Sequence, residues 1–160
     1  MATRLPVSGQ ISWPALIFNI VLMFFLSYIS KRLGFSDPAL TGIGTYIVVL
    51  FLLRVIITRD HRHGMMLVKR GKFAEAIPFF GKSYSLFSKH LWIDKYRFIT
   101  LLSFSNMTYR EMALNNIAFC YGQLGNGAKS VEYYEKTLAM FPENMLAKTA
   151  LNLINAGKKL

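Results

Sequence analysis

In this 160-residue chain, four short stretches hold side chains of types that can do chemistry. His61 and His63 flank Arg62 and could ligate a metal or carry a proton. Cys120, the single cysteine, could act as a nucleophile. Arg54 interrupts an otherwise apolar run and could mark an intramembrane charged site. Asn106-Met107-Thr108 spells a glycosylation acceptor. None of the four gathers the partners its chemistry requires. Two histidines two positions apart fall on different faces of a helix and make a poor ligand pair, so a solvated basic turn is the better reading. Cys120 stands beside Tyr121 in an apolar-periodic stretch with no His/Asp arrangement near it, as a buried small residue would. A long arginine about one turn from the end of an apolar run can reach the headgroups of a bilayer. The acceptor triplet overlaps Thr108-Tyr109-Arg110-Glu111, whose spacing is that of a helix capping box. No phosphate-binding glycine loop or paired-carboxylate spacing occurs. One cysteine excludes an internal disulfide framework and a multi-cysteine zinc site, and it suits a reducing compartment. An enzyme is not expected, and neither is a cofactor or a bound metal.

The elements around these residues carry more information. Hydrophobic residues make up 53% of the chain and charged residues 17%, with a formal net charge of +11. A soluble domain averages about 45–50% apolar and about 25% charged residues, so this chain is too apolar to be wholly soluble and far too apolar to be disordered. The apolar excess is local. Ile11 to Ser30 holds no charge, and Ala39 to Thr58 holds only Arg54. At about 1.5 Å per residue each block makes roughly 30 Å of helix, the thickness of a hydrocarbon core. Ser12 is a candidate N-cap for the first block, with Pro14 tolerated in its first turn and Trp13 and Tyr28 near its ends. A signal peptide would have an apolar core of about 7–15 residues and a small-residue cleavage site, whereas this block is longer and leads through Phe, Met and Tyr into Lys31. Ser36-Asp37-Pro38 opens the second block as cap and first-turn proline. Gly42 and Gly44 would let the two helices approach closely. The expected element is a transmembrane hairpin over 11–58, with spans 11–30 and 39–58 behind an N-terminal tail 1–10. Arg4, Arg59, Arg62, Lys69, Arg70 and Lys72 on the outer flanks outnumber Lys31 and Arg32 in the connection, which predicts both termini on the cytoplasmic side.

Beyond residue 58 the apolar residues become periodic and the sequence repeats. Arg70–Phe87 aligns without a gap on Leu124–Phe141, an offset of 54 residues. Gly71/Gly125, Ala74/Ala128, Lys82/Lys136 and Phe87/Phe141 are identical, and Phe79-Phe80 pairs with Tyr133-Tyr134. Each segment reads as a glycine-marked turn followed by an amphipathic helix. A helix is predicted to begin near Tyr109 and to end at Gly125-Asn126-Gly127. Leu114, Ile117-Ala118, Tyr121, Ser130, Tyr134, Thr137 and Pro142 stand at spacings that resemble the tetratricopeptide repeat (TPR), a pair of antiparallel helices of about 34 residues. The best repeat covers 111–144. A degenerate one covers 57–90, where Gly64, Ala76, Phe80 and Ser83 fit, Asp60 and His63 replace large apolar residues, and Pro78 is expected to kink its helix or free a carbonyl. That copy's first helix can be read as a continuation of the second span. Leu91 to Phe104 reads as an added helix or a helix extension with Trp92, Tyr96, Ile99 and Leu102 on one face, a strand being the alternative. Residues 144–156 read as a capping helix carrying Leu146, Ala150, Leu153 and Ile154. The fold class expected is therefore all-α: an N-terminal two-helix transmembrane hairpin followed by a TPR-like helical repeat domain over 59–160.

The resemblance implies a protein-interaction scaffold whose concave groove is lined by first helices, here by Asn115, Asn116, Phe119, Gly122 and Gln123. An asparagine at the place of Asn116 is similar to the repeats that clamp a C-terminal carboxylate. That clamp also needs basic residues on neighbouring first helices, where His61, Met65, Leu146 and Ala150 stand, so clamping is not expected. From Arg59 to Arg110 the net charge is +7, and from Glu111 to Leu160 it is +1. The basic excess thus lies nearest the spans, where Arg59, Arg62, Lys69, Arg70 and Lys72 can meet anionic lipid at about 1 kcal/mol each. The expected partners are an unidentified protein and the bilayer, not nucleic acid. Two repeats are fewer than the three usually needed for independent stability, so self-association is a further expectation. The function expected is a membrane-anchored adaptor at the cytoplasmic face; the alternative is an accessory subunit of a membrane complex or transporter, with the hairpin as its packed part.

Overall fold

The computed structural model describes residues 13–103 and 105–157. Arg4, Ile11, Ser12 and Phe104, to which the sequence assigns roles, lie outside the described residues, as does the tail 1–10. Among the described residues there are nine helices and no strand: α1 (Trp13–Arg32), α2 (Pro38–Ile57), α3 (Arg59–Lys69), α4 (Phe73–Lys89), α5 (Leu91–Lys95), α6 (Arg97–Thr100), α7 (Tyr109–Gln123), α8 (Gly127–Met140) and α9 (Met145–Gly157). The chain divides into two compact units. One holds the hairpin through Arg59 together with Trp92–Asn106; the other holds Asp60–Leu91 and the chain from Met107 onward. In this division residues 92–106 fall with the hairpin and not with the rest of 59–160.

In the hairpin unit, α1 and α2 are each long and apolar enough to cross a membrane, and only 17% and 6% of their most apolar windows are buried. α1 reaches Arg32, two residues beyond the block 11–30, and α2 runs one residue earlier than the block 39–58. Gly34 turns the chain at φ +80°, a conformation that L side chains rarely adopt. Asp37 caps α2 by accepting from the Leu40 N–H at 3.1 Å, with Pro38 in the first turn. The helices pack antiparallel where Gly42 meets Ser27: a Cβ at Gly42 would collide with the Ser27 backbone. Gly44 faces open space, so only one of the two glycines serves the approach. Higher in the hairpin the Tyr46 hydroxyl donates to Asn19 Oδ1 at 2.9 Å, while Asn19 Nδ2 donates to the Ala15 carbonyl at 2.7 Å. Both polar groups are thereby satisfied between apolar walls.

Residues 92–106 do not form the single helix expected of 91–104. Instead α5 and α6 are short, and the chain then turns through Leu102 at φ +46°. Contacts among the described residues bind this segment to the hairpin. Phe98 meets Phe18 edge to face at 5.7 Å, and Arg54 Nη2 donates to the Leu102 carbonyl at 2.9 Å. Trp92, Tyr96 and Ile99 are exposed while Leu102 is buried, so the four expected on one face do not share one environment.

The second unit is a chain of helix pairs. α3 packs on α4 where Gly64 admits the Phe80 ring; a Cβ there would lie 2.8 Å from it. α4 packs on α7, α7 on α8 and α8 on α9. Gly71 and Gly125, 54 residues apart, take φ +73° and +75° and turn each pair. Gly64 and Ala118, Ala76 and Ser130, Phe80 and Tyr134, and Ser83 and Thr137 share that offset, and all eight are buried. α2 ends at Ile57 and α3 starts at Arg59, so the second span does not run on unbroken. α4 continues through Pro78, which is exposed; the bond it forgoes would have reached the carbonyl of Ala74, an exposed residue of the first turn. In α9 the buried residue is Ala147, with Leu146, Ala150 and Ile154 packed around it, whereas Leu153 is 69% exposed.

The contrast between the two hairpin glycines gives a direct check. Gly42→Leu should force α1 and α2 apart at a cost of about 1–3 kcal/mol, and Gly44→Leu should not. Hydrogen exchange of full-length protein in detergent should show α1 and α2 amides exchanging about tenfold faster in the first variant and unchanged in the second.

Candidate functional site

α7 lies between α4 and α8, and this sandwich decides which of its residues can meet a partner. Its start is fixed by the capping box: Glu111 N–H donates to Thr108 Oγ1 at 3.2 Å, and Thr108 N–H donates to Glu111 Oε2 at 3.2 Å. Glu111 Oε1 also accepts from Asn144 Nδ2 at 2.7 Å, and Asn144 Oδ1 accepts from the Ala147 N–H at 2.7 Å. One buried asparagine thus ties the start of α7 to the start of α9. The sequence reading passed over Asn144, although asparagine just before a periodic run is a cap signal.

Ala113, Leu114, Asn115, Ile117, Ala118 and Cys120 form the buried arc of α7. Asn115 therefore leaves the expected concave face. It is 3% exposed, its Nδ2 reaches only the Met107 sulfur at 3.9 Å, and its Oδ1 has no hydrogen-bond partner among the described residues. With helices packed on two sides, the buried arc is wider than a one-sided helix would have. Asn116, Phe119 and Gln123, at helical spacing i, i+3, i+7, keep the open arc, with Gly122 beside them. Asn116 and Phe119 are half-buried; Gly122 and Gln123 are exposed. Asn116 Nδ2 lies 3.5 Å from the Met65 sulfur on α3, and Phe119 meets Phe73 of α4 edge to face at 6.0 Å. Met65 is the residue 54 before Phe119, so the repeat offset points to it. Phe73 carries no such signal.

The basic residues Arg59, Arg62, Lys69, Arg70 and Lys72 are all exposed. Along α3, Arg59, Arg62, Met66 and Lys69 follow one face, with Arg70 just beyond it. Lys72 is partly committed, since its Nζ donates to Glu75 at 3.0 Å. An exposed pair of this kind is worth little, and it lowers the local positive field. On other faces, Lys82 sits over Phe79, Lys129 over Tyr121, and Lys136 between Tyr84 and Tyr133. These rings already face cations of their own chain.

The chemical candidates separate clearly. His63 is exposed and stacks on Phe79 at 4.3 Å, whereas His61 is buried between Phe80 and Tyr109 with its Nδ1 3.4 Å from Ser83 Oγ. Among the described residues no group of three or more His, Cys, Asp or Glu could hold a metal ion. Burial pushes the Cys120 thiol up to about 12, which leaves it without thiolate character at neutral pH. Burial likewise raises Tyr134 to about 12.

Burial lowers His61 to about 4, from about 6.5 for an exposed imidazole. Between those values the unfolded chain binds a proton that the folded chain does not, so stability is complete above about pH 6.5 and falls as pH drops toward 4. The loss should approach about 3 kcal/mol. Urea unfolding of the full chain in detergent, followed by circular dichroism, should show this decline. His61→Leu should remove most of it over that pH range.

No protein-family model matches the chain, and no curated protein matches it.

Proposed function

We propose that the chain is a membrane-anchored adaptor of TPR type, with α1 and α2 spanning the bilayer, both termini cytoplasmic and α3–α9 recruiting a protein partner. The observation that carries this reading is the uncovered apolar surface of α1 and α2. Ile17, Val21 and Phe24 on one helix, and Ile47, Phe51 and Ile56 on the other, are 57–68% exposed. A soluble protein does not leave a contiguous face of this kind to water. The four buried pairs at the 54-residue offset support two repeats of TPR type, because small residues at Gly64/Ala118 and Ser83/Thr137 are what close helix crossings require. The recruiting surface is the open arc of Asn116, Phe119, Gly122 and Gln123, extended by Met65 and Phe73. Arg59, Arg62, Lys69 and Arg70 follow the second span within a few turns of chain and favour an anionic surface. The chain is read as non-enzymatic.

The accessory-subunit reading draws on Arg54 as a contact to another subunit's helices. Arg54 instead donates to the Leu102 carbonyl of its own chain. Arg54→Leu would therefore disturb the chain's own fold under either reading and does not separate them. Position-specific photo-crosslinking in native membranes does. A crosslinker at Gln123 should capture one discrete partner, and Phe119→Asp should weaken its binding by about tenfold or more while circular dichroism stays unchanged. A crosslinker at Leu153 should capture nothing comparable. Capture through Ile47 but not through Gln123 would favour the accessory subunit and sink the adaptor.

A further inference from the structure

Residues 92–106 are the one part of the hairpin unit that is not hairpin, and their surface has an unexpected character. Trp92, Tyr96 and Ile99 are 59%, 46% and 46% exposed and stand at i, i+4, i+7 along α5 and α6. On a water-facing segment three such side chains would be an unrelieved apolar patch. Their attachments give their level. Phe98 packs on Phe18 in the second turn of α1, and Leu102 is held by Arg54 in the last turn of α2. Both contacts fall at the end of the hairpin opposite the Gly34 turn. At about 1.5 Å per residue, Phe18 lies roughly 7 Å in from Trp13, a depth typical of the boundary between headgroups and acyl chains.

The backbone of this segment is also prepared for a water-poor setting. Thr100 Oγ1 donates to the Ile93 carbonyl at 2.8 Å. Arg97 donates to the carbonyls of Ser105 at 2.9 Å, Asp94 at 3.2 Å and Asn106. Arg54 donates to Leu102. Irregular backbone in water needs no such provision, whereas at membrane depth its polar groups must be met from within the protein. Lys95 Nζ stands 5.5 Å from the Tyr96 ring centroid, which places a cation beside an aromatic as at a headgroup level.

We propose that residues 92–102 form an interfacial seat, a third membrane contact in which Trp92, Tyr96 and Ile99 lie in the headgroup–acyl boundary beside the hairpin. The occupant of this face is lipid, because the segment packs on α1 and α2, whose apolar surface is uncovered, within the same unit. The proposal rests on the reading of α1 and α2 as membrane spans.

The chain has two tryptophans, so Trp13→Phe leaves Trp92 as the only one. Full-length protein carrying this change is reconstituted in phosphatidylcholine–phosphatidylglycerol vesicles whose phosphatidylcholine is brominated near the carbonyl or near the chain end. Trp92 emission should be blue-shifted and quenched at least twofold more by the shallow bromines than by the deep ones, with little quenching by aqueous iodide. Emission quenched by iodide but not by bromines overturns the seat. So does emission shielded from both, which would mean a protein surface or a second copy covers it. A companion chain with Trp13→Phe, Trp92→Phe and Ile47→Trp reports on the hairpin itself and should be quenched best by the deep bromines. If Ile47→Trp is not quenched, the spanning reading fails; if it is quenched and Trp92 is not, only the seat fails.

Discussion

Two helices approach no closer than the side chains at their crossing allow, and the helix pairs of this chain place small residues there. In the hairpin Gly42 sits against the Ser27 backbone; in the first repeat copy Gly64 sits against the Phe80 ring. In the second copy Ala118 and Ser130 hold the place, and a Cβ on Gly122 would come within 3.2 Å of Ser130 Oγ. The rest of each unit follows from these distances. Close crossing of α7 and α8 lets Tyr134 fill the layer toward α9, and close crossing of α3 and α4 buries Phe80 with Ala113, Ile117 and Cys120. A single added methyl group at such a point has no flexible side chain to displace where the neighbour is backbone, as at Gly42.

Buried polar groups add direction to this packing. Apolar contacts tolerate sliding, whereas a paired donor and acceptor fix one register. Tyr46 with Asn19 does this in the hairpin, and Glu111 with Asn144 does it between α7 and α9. His61 belongs to the same class but is only loosely met, by Ser83 at 3.4 Å and two aromatic edges, so its neutral form is a condition of the α3–α4 packing. Asn115, its counterpart 54 residues on, is weakly met as well. One polar place recurs in both copies and is imperfectly satisfied in both.

What the sequence made legible was local. The two apolar blocks, the Asp37-Pro38 start, the Thr108–Glu111 box and the turns at Gly71 and Gly125 depend on residues within a few positions of one another. What escaped depends on neighbours distant in the chain. Asn115 is buried although the resemblance places it on an open face, because one helix read alone does not disclose that two others flank it. Periodicity places Trp92, Tyr96 and Ile99 on one side without saying whether protein or lipid meets it. Leu102 at positive φ could not be foreseen, since a leucine there costs about 1–2 kcal/mol, and the Arg54 side chain that holds its carbonyl is 48 residues away. Pro78 leaves the Ala74 carbonyl open and α4 still continues through it, because that carbonyl belongs to an exposed first turn.

Between the two similar segments, 54 residues apart, lies the stretch 92–106, which packs in the other unit. The chain leaves the repeat unit after α4, completes the hairpin unit and returns to form α7, which still packs directly on α4. Insertion there is tolerated because the α4–α7 contact is made by side chains along the helices, such as Phe80 on Ile117 and Phe87 on Tyr109, and not by the connection between them. A connection free of that duty can lengthen at small entropic cost, since doubling a loop adds only about 0.6 kcal/mol. The same freedom lets one stretch of chain supply the carbonyl that receives Arg54, so the only charge within the second apolar run is met by its own chain and the hairpin needs no partner helix to accommodate it.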